Sequence, residues 1–426
     1  MNYEEAIKYI HSVGKFGSKL GLINITKLLD LLNNPQNDLK FIHVGGTNGK
    51  GSTCNYIAHM LHAAGYRTGL FISPYIEKFG ERMQVDFKNI DNRSLVTNVQ
   101  KVKDCIDVML ESGYNHPTEF EINTAVAMLY FKQKRCDVVV LEVGLGGRLD
   151  STNVIKSALA TVICTIEKDH MGVLGDTLQK IAFEKAGIIK PVSPVVVYGD
   201  NEPCTYDVIE AQAEKTGAPY FVVDFNNISN IRYSDYGYTF DFEGYTDLRI
   251  NMFGDYQVKN ACTAIKAVEV SKLKVSEEAI RKGLLKAKWP GRLEVLSKNP
   301  LIICDGSHNP EAVRSLKNTL IKYFPDKKKI LIMGVMKNKE YEKMIEDIFP
   351  LADMGIAIRT QCNRALELDI LQQTMQKYCK NTYSFDKIED GLDYAVANAD
   401  NNTVICTFGS LYYIADVKNY VRRTGL

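Results

Sequence analysis

The sequence predicts an α/β fold in two domains: an N-terminal domain with a mostly parallel sheet and a small antiparallel β portion, and a C-terminal α/β domain. Three observations predict this fold. The chain has 426 residues, which is too long for one ordinary hydrophobic core. Apolar strand-like runs alternate with helical patterns in two successive series, as in parallel sheets covered on both faces. A Gly-rich stretch with one lysine joins an early buried run to a helix.

The first series begins with two amphipathic segments, residues 3–13 and 23–32, which predict helices before the Gly-rich stretch. After that stretch the pattern predicts strands over 67–72, 137–143 and 158–166, and helices over 95–110, 121–132 and 182–189. From about residue 206 to residue 250 an aromatic-rich alternation predicts short antiparallel strands that close the domain. A helix containing Ala261, Ala264 and Val268 follows.

The second series starts after Pro290-Gly291, and we place the boundary so that the domains cover residues 1–295 and 296–426. The predicted strands are 301–304, 330–333, 355–358 and 404–408, and the predicted helices are 311–323, 341–348 and 367–377. Such regular alternation indicates a Rossmann-like C-terminal domain.

Residues 41–52, FIHVGGTNGKGS, predict a nucleotide triphosphate site of the P-loop type. A buried strand over 41–44 would lead into a loop whose glycines let backbone N–H groups converge on an anion, and a helix over 52–64 would add its positive dipole end. Lys50 would then lie on the terminal phosphates. The hydroxyl that usually follows the lysine is replaced by Gly51, so a metal-binding hydroxyl must come from elsewhere. The alternative is a Gly-rich turn that binds nothing.

Composition excludes several classes of protein. Lys and Arg number 52 against 51 Asp and Glu, a formal charge of +1, which gives no electrostatic case for binding nucleic acid or an anionic membrane surface. The N-terminal segment does not resemble a signal peptide, and no apolar run reaches membrane-spanning length. The ten cysteines are scattered without a CxxC pair, which favours buried thiols in a reducing compartment. We therefore expect a cytoplasmic protein, and nothing in the sequence suggests more than a monomer.

Four side chains of the first domain are candidates for chemistry. Glu142 ends the apolar run 138–142, where a carboxylate at the carboxyl edge of a parallel sheet could bind Mg²⁺ or could simply be a surface residue. Ser73 ends the preceding strand and could supply the missing hydroxyl, or cap the strand. His170 follows a further strand at the same edge. Lys185 lies in a helical pattern, where spacing alone predicts a solvated side chain.

In the second domain, strand 301–304 leads directly into Asp305-Gly306-Ser307-His308-Asn309-Pro310. Asp305 and His308 on such a tight turn could contact a ribose, a phosphate or a substrate amine. An Asx-type helix cap by Asn309 would explain part of the same sequence.

Together these motifs resemble one family, the folylpolyglutamate synthases and dihydrofolate synthases within the Mur-type ATP-dependent amide ligases. The resemblance rests on segments that follow the family order over nearly the whole chain: GTNGKGS (46–52), SPYIEKFGERM (73–83), EVGLGGRLDSTN (142–153), DHMGVLGDT (169–177), FEKAGI (183–188), WPGRLE (289–294) and DGSHNP (305–310). The phosphate loop and HNP are shared with other Mur ligases, whereas GLGGRLDxTN is specific to the folate branch.

The resemblance implies roles for individual residues in a two-domain ligase with ATP between its domains and Mg²⁺ at two sites. Residues implied to bind ATP are Asn48, Gly49, Lys50, Gly51, Ser52, Asn260 (adenine), Arg292 (phosphates) and Asp305 (ribose). Residues implied to bind Mg²⁺ are Ser73, Glu142 and His170, and those implied to contact the pterin are Thr118, Glu119, Phe120, Glu121, Leu149, Asp150 and Ser151. Lys185 would be carbamylated, and His308 would position the incoming glutamate or the nucleotide.

The chain departs from the family pattern at four positions. Tyr75 stands where His is usual and Asn24 where Arg is usual, and both concern the folate-side loop. Ser307 replaces an Ala, and Asn338 replaces an Asp. None of the four is an implied metal ligand.

The implied reaction is ATP-dependent addition of L-glutamate to folates, and to dihydropteroate, through an acyl phosphate. Three alternatives stay open: polyglutamylation of folates alone, a Mur-type ligase acting on a cell-wall precursor, and a nucleotide switch without catalysis. GLGGRLDSTN argues against the second. The third would need a guanine-reading NKxD, and the nearest sequence, Glu167-Lys168-Asp169, lacks the asparagine.

Overall fold

The computed structural model of the chain describes residues 1–13, 21–362 and 364–426. The described residues divide into two compact units. Unit 1 comprises Met1–Ile231, Thr239–Ile250 and Lys259–Ala287, and unit 2 comprises Arg232–Tyr238, Asn251–Val258 and Lys288–Leu426. The chain therefore passes from one unit to the other five times, and the last passage follows Ala287. The predicted single boundary at 295 stays a prediction.

Unit 1 is built on a sheet of eight described strands. They are β1 (Phe41–Gly45), β2 (Thr68–Phe71), β3 (Met83–Val85), β4 (Lys88–Asn89), β5 (Val138–Glu142), β6 (Ala160–Ile163), β7 (Val195–Val197) and β8 (Tyr220–Val222), in the order β4-β3-β2-β5-β1-β6-β7-β8. In this spatial order the neighbouring strands from β2 through β5, β1, β6 and β7 to β8 are all parallel. At the other end of the sheet, β3 pairs antiparallel with β2 and β4 pairs antiparallel with β3. Every residue of β1 and β5 is buried, so the central strands read as continuous apolar runs.

Helices cover this sheet. They are α1 (Tyr3–Ser12), α2 (Ile23–Leu31), α3 (Lys50–Ala63), α4 (Asn92–Glu111), α5 (Glu119–Gln133), α6 (Met171–Leu174), α7 (Leu178–Ala186), α8 (Pro203–Thr216), α9 (Asp255–Val270) and α10 (Glu277–Lys286), of which α9 begins in unit 2 and ends in unit 1. One buried cluster joins α1, α2, α4 and α5 to one face of the sheet, and another lies around α7 and α8. None of the helices in the described part of the chain is long and apolar enough to cross a bilayer.

The stretch predicted to be antiparallel strands from residue 206 to residue 250 is only partly so. Its first part belongs to α8, which Pro203 begins at a first-turn position and Gly217, with a φ of 65°, ends. The second part forms β9 (Ile228–Ser234), β10 (Gly237–Phe242) and β11 (Tyr245–Ile250) in the order β11-β10-β9. Two-residue connections between them require antiparallel neighbours. The prediction of strands is therefore wrong for 206–216 and confirmed for 228–250.

Unit 2 contains a second sheet, with the described strands β12 (Glu294–Lys298), β13 (Leu301–Cys304), β14 (Lys328–Met333), β15 (Met354–Ile358), β16 (Thr382–Phe385) and β17 (Thr403–Phe408). Their order is β12-β13-β17-β14-β15-β16, parallel except for the antiparallel pair β12 and β13. The helices are α11 (Pro310–Tyr323), α12 (Tyr341–Ile348), α13 (Leu368–Gln376), α14 (Ile388–Ala397) and α15 (Ile414–Thr424). The Rossmann-like prediction is confirmed; β12, β16, α14 and α15 were not predicted.

Candidate active site

The Gly-rich loop between β1 and α3 needs glycine at two positions for steric reasons. Gly46 has a φ of 146°, and a Cβ there would lie 2.7 Å from the Cβ of Cys164. Gly49 has a φ of 82°, and a Cβ there would lie 2.8 Å from Oδ1 of Asn260. Both conformations favour glycine, and both sites leave no room for a side chain. Asn260 of α9, implied to face adenine, is thus buried directly against the phosphate loop.

The loop is held on the segment that follows β6. The backbone N–H of Thr47 donates to the carbonyl of Thr165 at 2.6 Å, and that of Asn48 donates to Oγ1 of Thr165 at 3.1 Å. The hydroxyl of Thr47 accepts from the N–H of Glu167 at 3.0 Å. The side-chain amide of Asn48 donates to the Glu167 carboxylate. Glu167 therefore orients the loop. Its sequence context indicates no such role, since it stands out only in Glu167-Lys168-Asp169, the segment nearest to a guanine-reading NKxD.

Lys50 begins α3 and lies over the loop that precedes it. Its Nζ donates to the carbonyl of Gly46 at 3.0 Å and to that of Thr47 at 2.9 Å. Gly51 and Ser52 follow in the first turn, where backbone N–H groups have no partner within the helix. The ammonium group and the positive end of the helix dipole are therefore concentrated at one loop, which suits a polyphosphate.

Glu142 and Ser73 lie together at the carboxyl edge of the sheet. They follow from neighbouring parallel strands, since Phe71 of β2 pairs with Leu141 of β5. The Glu142 side chain is 4% exposed, and its Oε2 accepts from the backbone N–H of Ser73 at 2.9 Å. The alternative of a surface Glu is therefore wrong.

His170 lies at the N-terminal cap of α6 in the left-handed backbone region, with a φ of 52°. Its side chain is half exposed, and its Nε2 is 3.8 Å from Oδ2 of Asp169. Within residues 1–13, 21–362 and 364–426 no group of three or more His, Cys, Asp or Glu side chains is arranged to hold a metal ion. The structure thus joins two of the three implied metal ligands, Ser73 and Glu142, by a hydrogen bond and places the third beside an aspartate.

Lys185 departs from the solvated side chain that its helical spacing predicts. It is 3% exposed on α7, and burial lowers the pKa of its amine to about 7, with a further lowering by the positive charge of Lys50. Asp169 and Glu167 act in the opposite direction. α7 approaches the preceding loop closely, because a Cβ on Gly147 would lie 3.0 Å from the Cα of Lys185. The amine is therefore buried among the charges that surround the phosphate loop.

The residues implied to contact the pterin at 118–121 form the start of α5. Thr118 and Glu121 make a reciprocal capping box, in which the Thr118 N–H donates to Glu121 Oε2 at 2.7 Å. The other oxygen of Glu121 accepts from the N–H of Ile25, which ties α2 to α5. Phe120 packs against Gly144, where a Cβ would lie 2.4 Å from its Cζ. Glu119 lies 3.9 Å from Arg82.

The second implied pterin segment, 149–151, is organised by the buried carboxylate of Asp150. It accepts from the N–H of Leu145 at 2.8 Å and from both the N–H and the hydroxyl of Thr152. The Thr152 hydroxyl also lies 2.9 Å from Nε2 of His43 in β1. Burial raises the pKa of Asp150 and lowers that of His43. Leu149 is half-buried beside it, and Ser151, also buried, begins the next turn.

Unit 2 contains its own cluster of implied site residues after β13. The buried carboxylate of Asp305 accepts from the backbone N–H groups of Leu293 and Ser307, both at 2.8 Å, and from the Ser307 hydroxyl. Arg292 lies beside the same turn, because a Cβ on Gly306 would be 2.6 Å from its Nη1. These contacts place Arg292 and Asp305 next to each other within the unit.

His308 and Asn309 lie in the same turn of unit 2. Nδ1 of His308 is 2.8 Å from the Gly306 carbonyl, and because a carbonyl oxygen only accepts, Nδ1 donates this hydrogen bond. Asn309 caps α11 by accepting from the Ala312 N–H at 2.9 Å, as the Asx-cap alternative predicts.

Comparison with known protein families gives two matches along the chain. Residues 44–268 match the Mur ligase middle domain, and residues 291–411 match the Mur ligase glutamate ligase domain. The dihydrofolate synthase/folylpolyglutamate synthase of Bacillus subtilis is 36% identical over 431 residues, covering 99% of each chain.

Solved structures are also similar to this chain over nearly its whole length. Folylpolyglutamate synthase of Mycobacterium tuberculosis complexed with ADP is 26% identical with a TM-score of 0.91, covering 98% of each chain. E. coli FolC in complex with DHPP and ADP is 28% identical with a TM-score of 0.86, covering 99% of this chain and 98% of that one.

Proposed function

The chain belongs to the folylpolyglutamate synthase and dihydrofolate synthase family of Mur ligases, and from this premise we propose that it joins L-glutamate to folates and to dihydropteroate at the expense of ATP. Bifunctionality is supported by the names of relatives, since the Bacillus subtilis protein carries both activities in its name and the E. coli structure holds DHPP with ADP. Polyglutamylation of folates alone is the second candidate, supported by relatives named folylpolyglutamate synthase only.

The observation that carries the proposal is the set of charges in unit 1. The phosphate loop, Lys50 at the start of α3, and the buried Lys185 interact with one another and with Asp169 and Glu167. A loop of backbone N–H groups next to a buried amine and carboxylates suits phosphoryl transfer, in which positioning and charge stabilisation do most of the work. In this proposal residues 48–52 hold the phosphates of ATP and Asn260 lies towards the base.

The residues at the sheet edge fit Mg²⁺. Glu142 offers a buried carboxylate and Ser73 a hydroxyl, and Mg²⁺ prefers oxygen ligands from one or two protein groups, completed by phosphates and water. We propose that these two residues and His170 hold the ion or ions. When bound, Mg²⁺ would neutralise charge on the phosphates. Glu142 would in addition keep Ser73 in place, because its Oε2 accepts from the Ser73 backbone N–H.

We propose that Lys185 reacts with CO₂ to form a carbamate. A lysine must lose its proton before its nitrogen can attack carbon, and a pKa of about 7 leaves about half of the amines neutral at neutral pH. The nitrogen then forms a bond to the carbon of CO₂ and releases one proton, so that a cation becomes an anion. This reversal of charge would replace the repulsion between Lys50 and Lys185 by attraction.

The reaction itself would proceed in two steps. An oxygen of the acceptor carboxylate attacks the γ-phosphorus of ATP, and ADP leaves. The amine of glutamate then attacks the acyl carbon of the resulting acyl phosphate, inorganic phosphate leaves and the nitrogen loses a proton. Lys50 and the loop N–H groups would stabilise the charge on the transferred phosphoryl group.

For unit 2 we propose that Arg292 acts on the phosphates, Asp305 on the ribose and His308 on the incoming glutamate or the nucleotide. Nδ1 of His308 donates to the Gly306 carbonyl at 2.8 Å, which fixes the orientation of its ring in the turn. Asp305 is limited by the three donors it already accepts, so its clearest function is to fix the turn that carries Arg292 and His308.

On the acceptor side we propose that 118–121 and 149–151 line the pterin site. A carboxylate stabilises the conformation of each segment: Glu121 accepts from the Thr118 N–H and Asp150 from the Leu145 N–H. All ten cysteines are free thiols, which supports a cytoplasmic enzyme. We expect it to act as a monomer.

The test is ATP-dependent incorporation of labelled glutamate, with dihydropteroate and tetrahydrofolate as parallel acceptors. Lys50→Ala should abolish incorporation, while Lys156→Ala, an exposed lysine of the same unit, should leave it unchanged. Incorporation into both acceptors supports the bifunctional enzyme, and incorporation into tetrahydrofolate alone supports the second candidate. Binding of ATP without incorporation into either acceptor would refute the folate assignment.

A further inference from the structure

The loop from Ser73 to Arg82 is organised by the carboxylate of Glu81. Its two oxygens accept from three successive backbone N–H groups: Oε2 from Ile76 at 2.8 Å and Glu77 at 3.2 Å, and Oε1 from Glu77 at 3.2 Å and Lys78 at 2.9 Å. Hydrogen bonds to an ionised acceptor are stronger than neutral ones. A stretch whose regular structure is the short 3₁₀ helix Phe79–Arg82 at its end therefore takes much of its shape from one side chain.

The next residue, Arg82, fixes the aromatic side chains of the same loop. Its guanidinium carbon is 5.1 Å from the ring centre of Tyr75 and 5.8 Å from that of Phe79, within the range of cation–π attraction. The two rings meet edge to face with centres 5.7 Å apart. Arg82 Nη2 is also 3.9 Å from Glu119. The loop conformation that Glu81 stabilises therefore also positions Arg82, which contacts the rings of Tyr75 and Phe79 and lies next to Glu119 of α5.

The two ends of the loop lie at the two halves of the proposed site. At one end the Ser73 N–H donates to Glu142, and at the other Arg82 faces Glu119. Between them the loop forms one wall of a cavity of about 730 Å³ whose other wall is α1. The rings of Tyr75 and Phe79 face this cavity together with Tyr3, Ile7 and His11 of α1.

We propose that Glu81 is a positioning residue for the folate acceptor: it holds loop 73–82 in the shape that keeps Arg82 beside Glu119, in the segment proposed to line the pterin site. The inference rests on the proposed function, since it assumes a folate-type acceptor. Without the carboxylate, three N–H groups would turn to water and the loop would lose its single conformation. Binding of the acceptor would then have to order it again, which weakens affinity.

The test compares Glu81→Gln with Glu111→Gln, an equivalent change at an exposed site at the end of α4. The amide keeps one accepting oxygen and turns an N–H₂ group towards the remaining donors. We expect the KM for tetrahydrofolate or dihydropteroate to rise about tenfold, the effect of losing one charge-assisted hydrogen bond, with the KM for ATP unchanged. Tryptic cleavage after the exposed Lys78 should also become faster, and the control should change neither quantity.

An unchanged acceptor KM or an unchanged cleavage rate at Lys78 would overturn the inference. Equal losses towards ATP and acceptor, together with a lower unfolding temperature, would show a merely structural role and would overturn it too. An inactive wild-type protein would instead refute the proposed function and with it the acceptor role of Glu81. The tryptic rates would still decide, in that case, whether Glu81 holds the loop.

Discussion

Replacement of Lys185 by methionine is expected to stabilise the protein at low pH and to lose that advantage as the pH rises. The folded amine has a pKa of about 7, against 10.5 for an ordinary lysine, because it is buried and faces Lys50. At pH values below about 7 both the folded and the unfolded chain carry the proton, so burial of the charge has its full cost. A shift of this size corresponds to about 5 kcal/mol of unfolding free energy.

The sign follows from proton binding. Between about pH 7 and pH 10 the unfolded state holds the proton that the folded state has released, so the free energy of unfolding of the wild type rises with pH. The wild type should therefore gain roughly 2 kcal/mol on the methionine variant between about pH 7 and pH 9. Methionine has a similar length and no charge, so packing is largely kept.

Urea unfolding followed by intrinsic fluorescence, in buffers freed of CO₂, would measure the difference at several pH values. Lys180→Met is the matched control, because Lys180 lies exposed on the same helix and pairs with Asp176. A stability difference between wild type and the Lys185 variant that stays constant across the alkaline window would refute the reasoning. Addition of bicarbonate should abolish the dependence if a carbamate forms.

Two further changes test the site. Gly49→Ala should weaken ATP binding at least tenfold by equilibrium titration, because the new methyl group meets Asn260. The control Gly113→Ala has the same φ of 82° with nothing within 4 Å, so it should cost only about 1 kcal/mol of stability and leave ATP binding unchanged. Equal ATP affinities of the two variants would contradict the steric account. Asp305→Asn should lower the free energy of unfolding by about 1–3 kcal/mol, since one of its donors would face an N–H₂ group, and an unchanged urea midpoint would contradict this.

The strands at the centre of each sheet were predictable from sequence because parallel, fully buried strands leave continuous apolar runs. β1, β5 and β13 all have this signature, and each leads directly into polar residues that are proposed to bind ligands within their own unit. The position of Glu142 and Ser73 at one edge followed from the same reasoning. What the sequence indicates well, therefore, is which strand ends carry chemistry.

Tertiary burial was not predictable in this way. Spacing alone predicts a solvated side chain for Lys185 in its helical pattern, so its burial depends on how α7 packs on the loop around Gly147. For Asp150 and Glu121, which the resemblance implies to contact the pterin, spacing does not indicate that their oxygens accept backbone N–H groups. α8 is a different case, because its sequence does contain helix signals, Pro203 at its start and Gly217 at its end. The aromatic-rich alternation of the whole stretch predicted strands there instead.

The repeated passage of the chain between the two units limits how the protein can be divided. A fragment that begins at Lys288 would lack two short segments of unit 2, Arg232–Tyr238 and Asn251–Val258. Asp255, in the second of these, accepts hydrogen bonds from Lys322 and from the hydroxyls of Tyr238 and Tyr323. A cut at any single peptide bond therefore leaves one product short of residues that its own packing requires. Shuffling of C-terminal halves between related enzymes would have to exchange three pieces of chain at once.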